Sequence, residues 1–292
     1  MILKAALAAG ALLLTASLAF TATLYVQGRR KPDRTGQYVA LGSSFAAGYG
    51  LGARAPGSPL ACMRSANGYP RELAGLTGLA LVDMSCSGST TEHLLNGGQV
   101  FLGPQLDAVG PATKLVTITS GGNDVNYIGD LTLASGSLGL LGKIPKLVWK
   151  GPAPLADRDF AKVKKNLREI VVSIKSRAPD AMIVVVSYLP VLPPQGSCQV
   201  LGIDDAMASL FRQIASGLLE ATRAAAEMAD AMFVDMAGIG QGHDACSAQP
   251  WVNGKSPDHG APFHPNAAGT RAIADAVYGR LSVVLTSRIP GR

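Results

Sequence analysis

Apolar residues follow two different periods along this chain, and the alternation between them predicts its elements. Tyr38-Val39-Ala40-Leu41, Leu79 to Met84, Leu115 to Thr119, Met182 to Ser187 and Met232-Phe233-Val234 are short, nearly unbroken apolar runs, as strands buried on both faces should be. Between them the period changes. Phe160, Val163, Leu167, Ile170, Val171 and Ile174 recur at steps of three and four, one face of a helix with Asp157 near its start. Met207, Leu210, Phe211, Ile214, Leu218, Ala225 and Met228 mark a longer helix, and Asn266 to Leu285 a last one. Strands alternating with helices predict an α/β fold built on a five-stranded parallel sheet covered on both faces. In such sheets the working groups collect beyond the carboxyl ends of the strands.

Two stretches break the pattern. Ala5 to Val26 carries no charge, with Lys4 before it and Arg29, Arg30, Lys31 and Arg34 after it. A run of about 20 apolar residues is long enough to span a bilayer, and its charged start and apolar middle also suit a secretory signal. Ala19-Phe20-Thr21 is the nearest approach to a small-x-small cleavage site, so a removed signal and an uncleaved anchor both stand. Ile128 to Ala156 is rich in Gly, Leu and Pro and holds three lysines. It reads as a long surface loop, or as a lid giving a pocket an apolar wall.

Residues 1–34 are therefore set apart as the export segment with its basic flank, and 35–292 as one globular domain. The division changes the charge. Of 26 Lys+Arg and 20 Asp+Glu, residues 1–34 hold five and one, leaving 21 against 19 and a net of +2 for the domain. The basic excess is thus juxtamembrane, a solvated flank or a contact for anionic lipid headgroups. With no basic stripe and only 5% aromatic residues, nucleic acid is excluded as a partner. The positive-inside rule would place the flank in the cytoplasm. Cys62, Cys86, Cys198 and Cys246 point outward, because an even set without a Cys-x-x-Cys pair suits disulfides in an oxidising compartment. We follow the cysteines and expect a secreted or membrane-anchored protein facing outside the cytoplasm. Three pairings are possible, and sequence-local closure favours Cys62–Cys86 with Cys198–Cys246.

The candidate chemistry lies in four short pieces. Gly42-Ser43-Ser44-Phe45, Ser85-Cys86-Ser87-Gly88 and Gly122-Asn123-Asp124 follow the first three strands, and Phe263-His264-Pro265-Asn266 precedes the last helix. A serine hydroxyl needs a base within hydrogen-bond reach to become a nucleophile at neutral pH, and His264 is the histidine with a motif around it. His93, His243 and His259 read as surface or structural. The backbone N–H groups of Ser44 and Gly88 and the amide of Asn123 would stabilise the negative charge that grows on an acyl oxygen. Alone, each piece would pass for a turn; together they are the parts of acyl transfer.

These four pieces resemble the blocks of the SGNH hydrolases, also called the GDSL lipase/esterase family, between about Tyr38 and Gly269, and are similar to its secreted actinobacterial members. The resemblance implies a flavodoxin-like three-layer α/β/α sandwich and metal-free, cofactor-free cleavage of carboxylic esters, lipid or acylated glycan. It assigns the nucleophile to Ser44, the base to His264 and the oxyanion hole to Ser44, Gly88 and Asn123. Two departures matter. Ser43 stands where the family usually has an acidic residue, so altered loop hydrogen bonding is expected. Ala261 stands three residues before His264, where the family commonly has an Asp that orients the imidazole. Either the Ala261 carbonyl takes that role, giving a Ser–His dyad, or Asp258 reaches in; we expect the dyad.

Competing patterns are weaker. Gly48-Tyr49-Gly50-Leu51-Gly52 lacks the spacing and acidic partner of a dinucleotide loop. Gly42-x-Ser44-x-Ala46 approaches a nucleophile elbow but sits on the first strand. No His-Glu-x-x-His or carboxylate cluster suggests a catalytic metal. The expected protein is a monomeric serine esterase, bound to membrane through its N-terminal segment if that is kept. The alternatives are a polysaccharide O-deacetylase, and a non-catalytic envelope protein that binds acylated lipid or glycan.

Overall fold

The structure is a computed structural model that describes residues 2–137 and 149–287, with side chains between residues 9 and 283 of that span. Five strands form one sheet: β1 (Tyr38–Gly42), β2 (Leu81–Asp83), β3 (Leu115–Thr119), β4 (Met182–Val186) and β5 (Met232–Val234), in the order β2-β1-β3-β4-β5. Every pairing is parallel, with Tyr38 opposite both Leu81 and Leu115. The central strands β1 and β3 are buried along their whole length, whereas the edge strand β2 is half-buried and shorter than the apolar run from Leu79 to Met84 that predicts it. Its register with β1 ends at Ala40 opposite Asp83, although β1 itself runs on to Gly42.

Nine helices are described: α1 (Ile2–Gly28), α2 (Ser44–Ala47), α3 (Tyr69–Thr77), α4 (Thr91–Asn96), α5 (Tyr127–Ser135), α6 (Phe160–Arg177), α7 (Asp205–Met228), α8 (Met236–Ile239) and α9 (Ala267–Ser287). The apolar face foreseen for α6 is the buried one, Val163, Leu167, Ile170, Val171 and Ile174. Its cap is Asp159 rather than Asp157, since Leu155–Asp157 forms a separate 3₁₀ turn; the Asp159 carboxylate accepts from the Lys162 N–H at 2.8 Å. Asp204 caps α7 in the same way through the Met207 N–H. Such a cap contributes about 1 kcal/mol. Helices α6 and α7 pack together on one side of the sheet, and α3 with α9 form a second helix pair.

The stretch from Ile128 to Ala156 is not a plain loop at its start. Its beginning belongs to α5, whose Tyr127, Ile128 and Leu131 are buried. The middle of the expected lid, 138–148, lies outside the described residues. Both disulfides join the pairs nearest in sequence, Cys62–Cys86 and Cys198–Cys246.

Candidate active site

The carboxyl ends of β1 and β3 and the last loop before α9 bring the four motif pieces together. Strand β1 ends on Gly42, where an added Cβ would stand 2.5 Å from the Thr119 carbonyl oxygen of β3. Only glycine lets the two strand ends approach so closely, and the Ser43 N–H then donates to that same carbonyl at 2.9 Å. The chain turns at once into α2, with Ser44 as its first residue, so the Ser44 N–H has no acceptor inside the helix.

His264 meets Ser44 across 220 residues. Its Nε2 lies 2.8 Å from the Ser44 Oγ, and its Nδ1 lies 2.7 Å from the Pro262 carbonyl oxygen. A carbonyl only accepts, so Nδ1 carries the proton and Nε2 presents a lone pair to the serine hydroxyl. The ring is buried, flanked by Phe45 and Tyr49 with centroids at 5.3 Å. That burial brings its pKa down to about 4, the Pro262 carbonyl opposing the shift. The imidazole is therefore neutral near pH 7.

The partner of Nδ1 is a main-chain carbonyl, and it belongs to Pro262, not to Ala261. The Ala261 oxygen is occupied by the His264 N–H at 3.3 Å and by the Asn253 amide at 3.1 Å. Phe263 adopts φ +58, a conformation uncommon for a bulky residue, within the turn that sets Pro262 against the ring. Asp258 is exposed and makes no hydrogen bond to His264.

On the other side, the loop after β2 is tied to the end of β1. The Cys86 N–H donates to the Gly42 oxygen at 3.0 Å, and the Ser87 N–H to the Cys62 oxygen at 3.0 Å, beside the disulfide joining Cys62 to Cys86. Gln105 brackets Gly42, accepting from its N–H at 2.8 Å and donating to its carbonyl at 3.0 Å, and also donates to the Ser89 hydroxyl at 3.0 Å. Ser89 in turn donates to Gln99, whose amide donates to the Ser87 carbonyl at 2.7 Å. Gly88 is held at φ +84, which a side chain would resist, and its N–H has no partner among the described residues.

Asn123 donates one amide hydrogen to the Ser89 carbonyl at 2.8 Å, which fixes the side chain and leaves its second N–H for a ligand. Its neighbour Asp124 accepts from the Thr91 N–H at 2.9 Å and from the Thr91 hydroxyl, and Asn166 of α6 donates to that hydroxyl at 3.0 Å. Burial raises the Asp124 pKa, against the Thr91 hydrogen bonds that lower it. Ser43 lies 3.0 Å from the buried Tyr188 hydroxyl, which accepts from the Gly122 N–H at 3.1 Å and whose pKa burial pushes up to about 12. A phenol thus links the loops after β1 and β3.

The structure thus places Ser44 and His264 in contact and holds Gly88 and Asn123 in loops bonded to the same strand end. Pro262, Tyr188, Gln105 and Thr91 were missed by sequence reasoning, because a lone proline carbonyl or a distant polar side chain carries no local signal. The remaining histidines are structural or at the surface. His93 accepts from the Thr90 N–H in the cap of α4, and His243 stacks on Trp251 at 4.0 Å. His259 is exposed.

Comparison with known proteins gives one answer at three levels. Residues 40–272 match the model of the GDSL-like Lipase/Acylhydrolase family. Lipase 2 of Streptomyces coelicolor is 35% identical over 246 residues, 82% of this chain and 83% of its own length. A lipase of Streptomyces rimosus is 32% identical, covering 91% of this chain and 94% of its own. The crystal structure of the extracellular lipase from Streptomyces rimosus superposes with a TM-score of 0.65 at 27% identity, over 83% of this chain and 98% of that one.

Proposed function

Since the chain belongs to the GDSL-like lipase/acylhydrolase family and is a serine hydrolase of carboxylic esters, we propose that Ser44 and His264 perform the hydrolysis as a dyad. The observation that supports this reading most is the Ser44 Oγ at 2.8 Å from a His264 Nε2 whose partner nitrogen is already committed to the Pro262 carbonyl. In the first step Nε2 takes the Ser44 proton while Oγ attacks the acyl carbon. The resulting oxyanion receives the Ser44 and Gly88 N–H groups and the free Asn123 amide hydrogen. The imidazolium, its Nδ1–H held on Pro262, then protonates the leaving alcohol. Water, deprotonated by the same Nε2, attacks the acyl-enzyme, and the imidazolium returns that proton to the Ser44 Oγ as the acid leaves. The low pKa of the resting imidazole keeps it in the proton-accepting form across neutral and mildly acidic pH.

The substrate class we favour is a lipid ester handled outside the cytoplasm. The relatives named lipases, the two disulfides and the apolar N-terminal helix support this choice. The test is hydrolysis of a p-nitrophenyl ester series, acetate to palmitate, by the full chain beside Ser44→Ala, with a fluorophosphonate probe on both. Turnover and labelling that vanish in the variant are expected. A folded chain that neither turns over any ester nor takes the probe would favour a protein that only binds acylated ligands.

A further inference from the structure

Helix α1 does not stand free of the domain. Ala9–Gly28 is long and apolar enough to cross a membrane and is exposed from Ala9 to Thr23, Leu12 and Leu13 at 72%. Its last turn, by contrast, is fitted to the domain. Gly28 is buried, and a Cβ there would stand 2.6 Å from the Phe101 carbonyl oxygen. The Gln27 side chain accepts from the Leu60 N–H at 2.7 Å, and Tyr25 meets Phe101 edge-on at 5.6 Å. A helix spanning the hydrocarbon with this end at the surface would bring the turns at Leu60 and Phe101 down to the headgroups.

Those turns carry an apolar rim. Leu60, Met63, Val100 and Phe101 are between 37% and 49% exposed. Val100 and Phe101 both adopt positive φ, 44° and 69°, which is unfavourable for a β-branched and an aromatic residue. Both turns are fastened to the oxyanion loop: the first through the Cys62–Cys86 disulfide, the second through the hydrogen bonds of Gln99 to Ser87 and Ser89. Between the end of α1 and that loop lies a cavity of about 770 Å³, lined by Arg29, Arg30, Lys31 and Arg54 and reaching Cys86 and Ser89. The carboxylates on its wall, Asp83 and Asp107, are paired with Arg64 at 3.6 Å and Arg177 at 3.4 Å. The basic groups around α1 therefore meet little opposing charge.

We propose that this face docks on an anionic phospholipid bilayer, with α1 retained as its anchor and the basic cavity over the headgroups, so that Ser44 draws acyl esters from the membrane itself. The inference rests on the proposed hydrolase for its chemistry. Its own content is the apolar rim, the basic cavity and the fitted end of α1, all beside one oxyanion loop.

The experiment uses the full chain recovered from its host membrane, its N-terminus determined by intact mass. Turnover is compared on soluble p-nitrophenyl acetate and on an acyl ester embedded in vesicles, either of equal phosphatidylglycerol and phosphatidylcholine or of phosphatidylcholine alone. The variants are Met63→Asp with Phe101→Asp, and Arg29→Glu with Arg30→Glu. Each pair should cut turnover in the anionic vesicles at least about tenfold while soluble turnover stays within about twofold. The charge pair should lose its effect on neutral vesicles or at high salt. A mature chain beginning beyond α1, or variants that leave vesicle turnover unchanged or lower both substrates alike, would overturn the docking face. Loss of turnover with the soluble ester in the unsubstituted chain would instead count against the hydrolase reading.

Discussion

The two sides of the candidate site are built on opposite plans. The side that holds Gly88 and Asn123 is polar and over-determined: Gln99 and Gln105 meet at Ser89, Asp124 and Asn166 meet at Thr91, and the Asn123 amide donates to the Ser89 carbonyl between these two groups. On the base side the His264 ring has one hydrogen bond behind it, to Pro262, and aromatic faces around it. The physical demands differ accordingly. Stabilising a developing charge requires fixed dipoles that do not reorganise during the reaction. A base needs only the correct tautomer and a dry pocket, which one carbonyl and two rings supply. Truncation on either side should therefore fail differently.

The largest expected effect is on the base side. His264→Ala should lower kcat by about 10⁴-fold or more, since among the described residues no other base is hydrogen-bonded to the Ser44 hydroxyl. Asn123→Ala should cost less, about 10² to 10³ in kcat, the loss of one donor of about 3 kcal/mol. KM should hardly move, because that donor acts on charge that appears only in the transition state. The measurement is steady-state kinetics with a short p-nitrophenyl ester. An Asn123→Ala chain as impaired as His264→Ala would mean that the network behind Asn123 positions the serine as well, and the two sides would no longer be separable.

The pH dependence tests the dryness of the base side. With its pKa brought down to about 4, His264 stays neutral at pH 5, where an ordinary histidine would be only about 3% neutral. The profile of kcat/KM should therefore be flat down to about pH 5 and fall as one proton binds near pH 4. The stability sign is the reverse of that for a histidine held in an ion pair. The unfolded chain binds this proton below about pH 6.5 and the folded chain only near 4, so stability declines as pH falls through that window, by about 2 kcal/mol at pH 5. An acid limb near pH 6.5 would mean that the ring is wet.

How legible this was depends on the distance over which each feature is encoded. The strands β1, β3, β4 and β5 could be read because continuous Val, Ile and Leu runs leave a buried parallel strand as the simplest outcome. The motif serine, glycine, asparagine and histidine could be read because their residue types are set by chemistry and their places by strand ends. Short helices were harder: α3 opens with Pro70 near its first turn, and α4 spans six residues, too few for a period to show. Gly129 masked the start of α5, whose stability comes from packing Tyr127, Ile128 and Leu131. The carbonyl of Pro262 could not be chosen over that of Ala261 without the φ of Phe263, a single torsion that no residue pattern specifies. Nor could Tyr188 be paired with Ser43 across 145 residues, because a buried phenol finds its partner through the fold.

The smallest expected effect bears on that same torsion. Asp258→Ala should leave kcat and kcat/KM within about twofold of the parent. Asp258 is exposed, and the Nδ1–H it would have to accept already points at Pro262 from 2.7 Å. The second carboxylate reading requires the loop around Gly260 to refold so that Asp258 displaces a carbonyl held by the backbone itself. In side-chain triads the loss of the orienting carboxylate costs about 10⁴ in kcat, so the two arrangements differ by orders of magnitude in one assay. A near-neutral result would mean that a peptide carbonyl suffices to orient a buried imidazole here. The sparse base side would then be a complete design, its economy made possible by the burial that keeps the ring neutral.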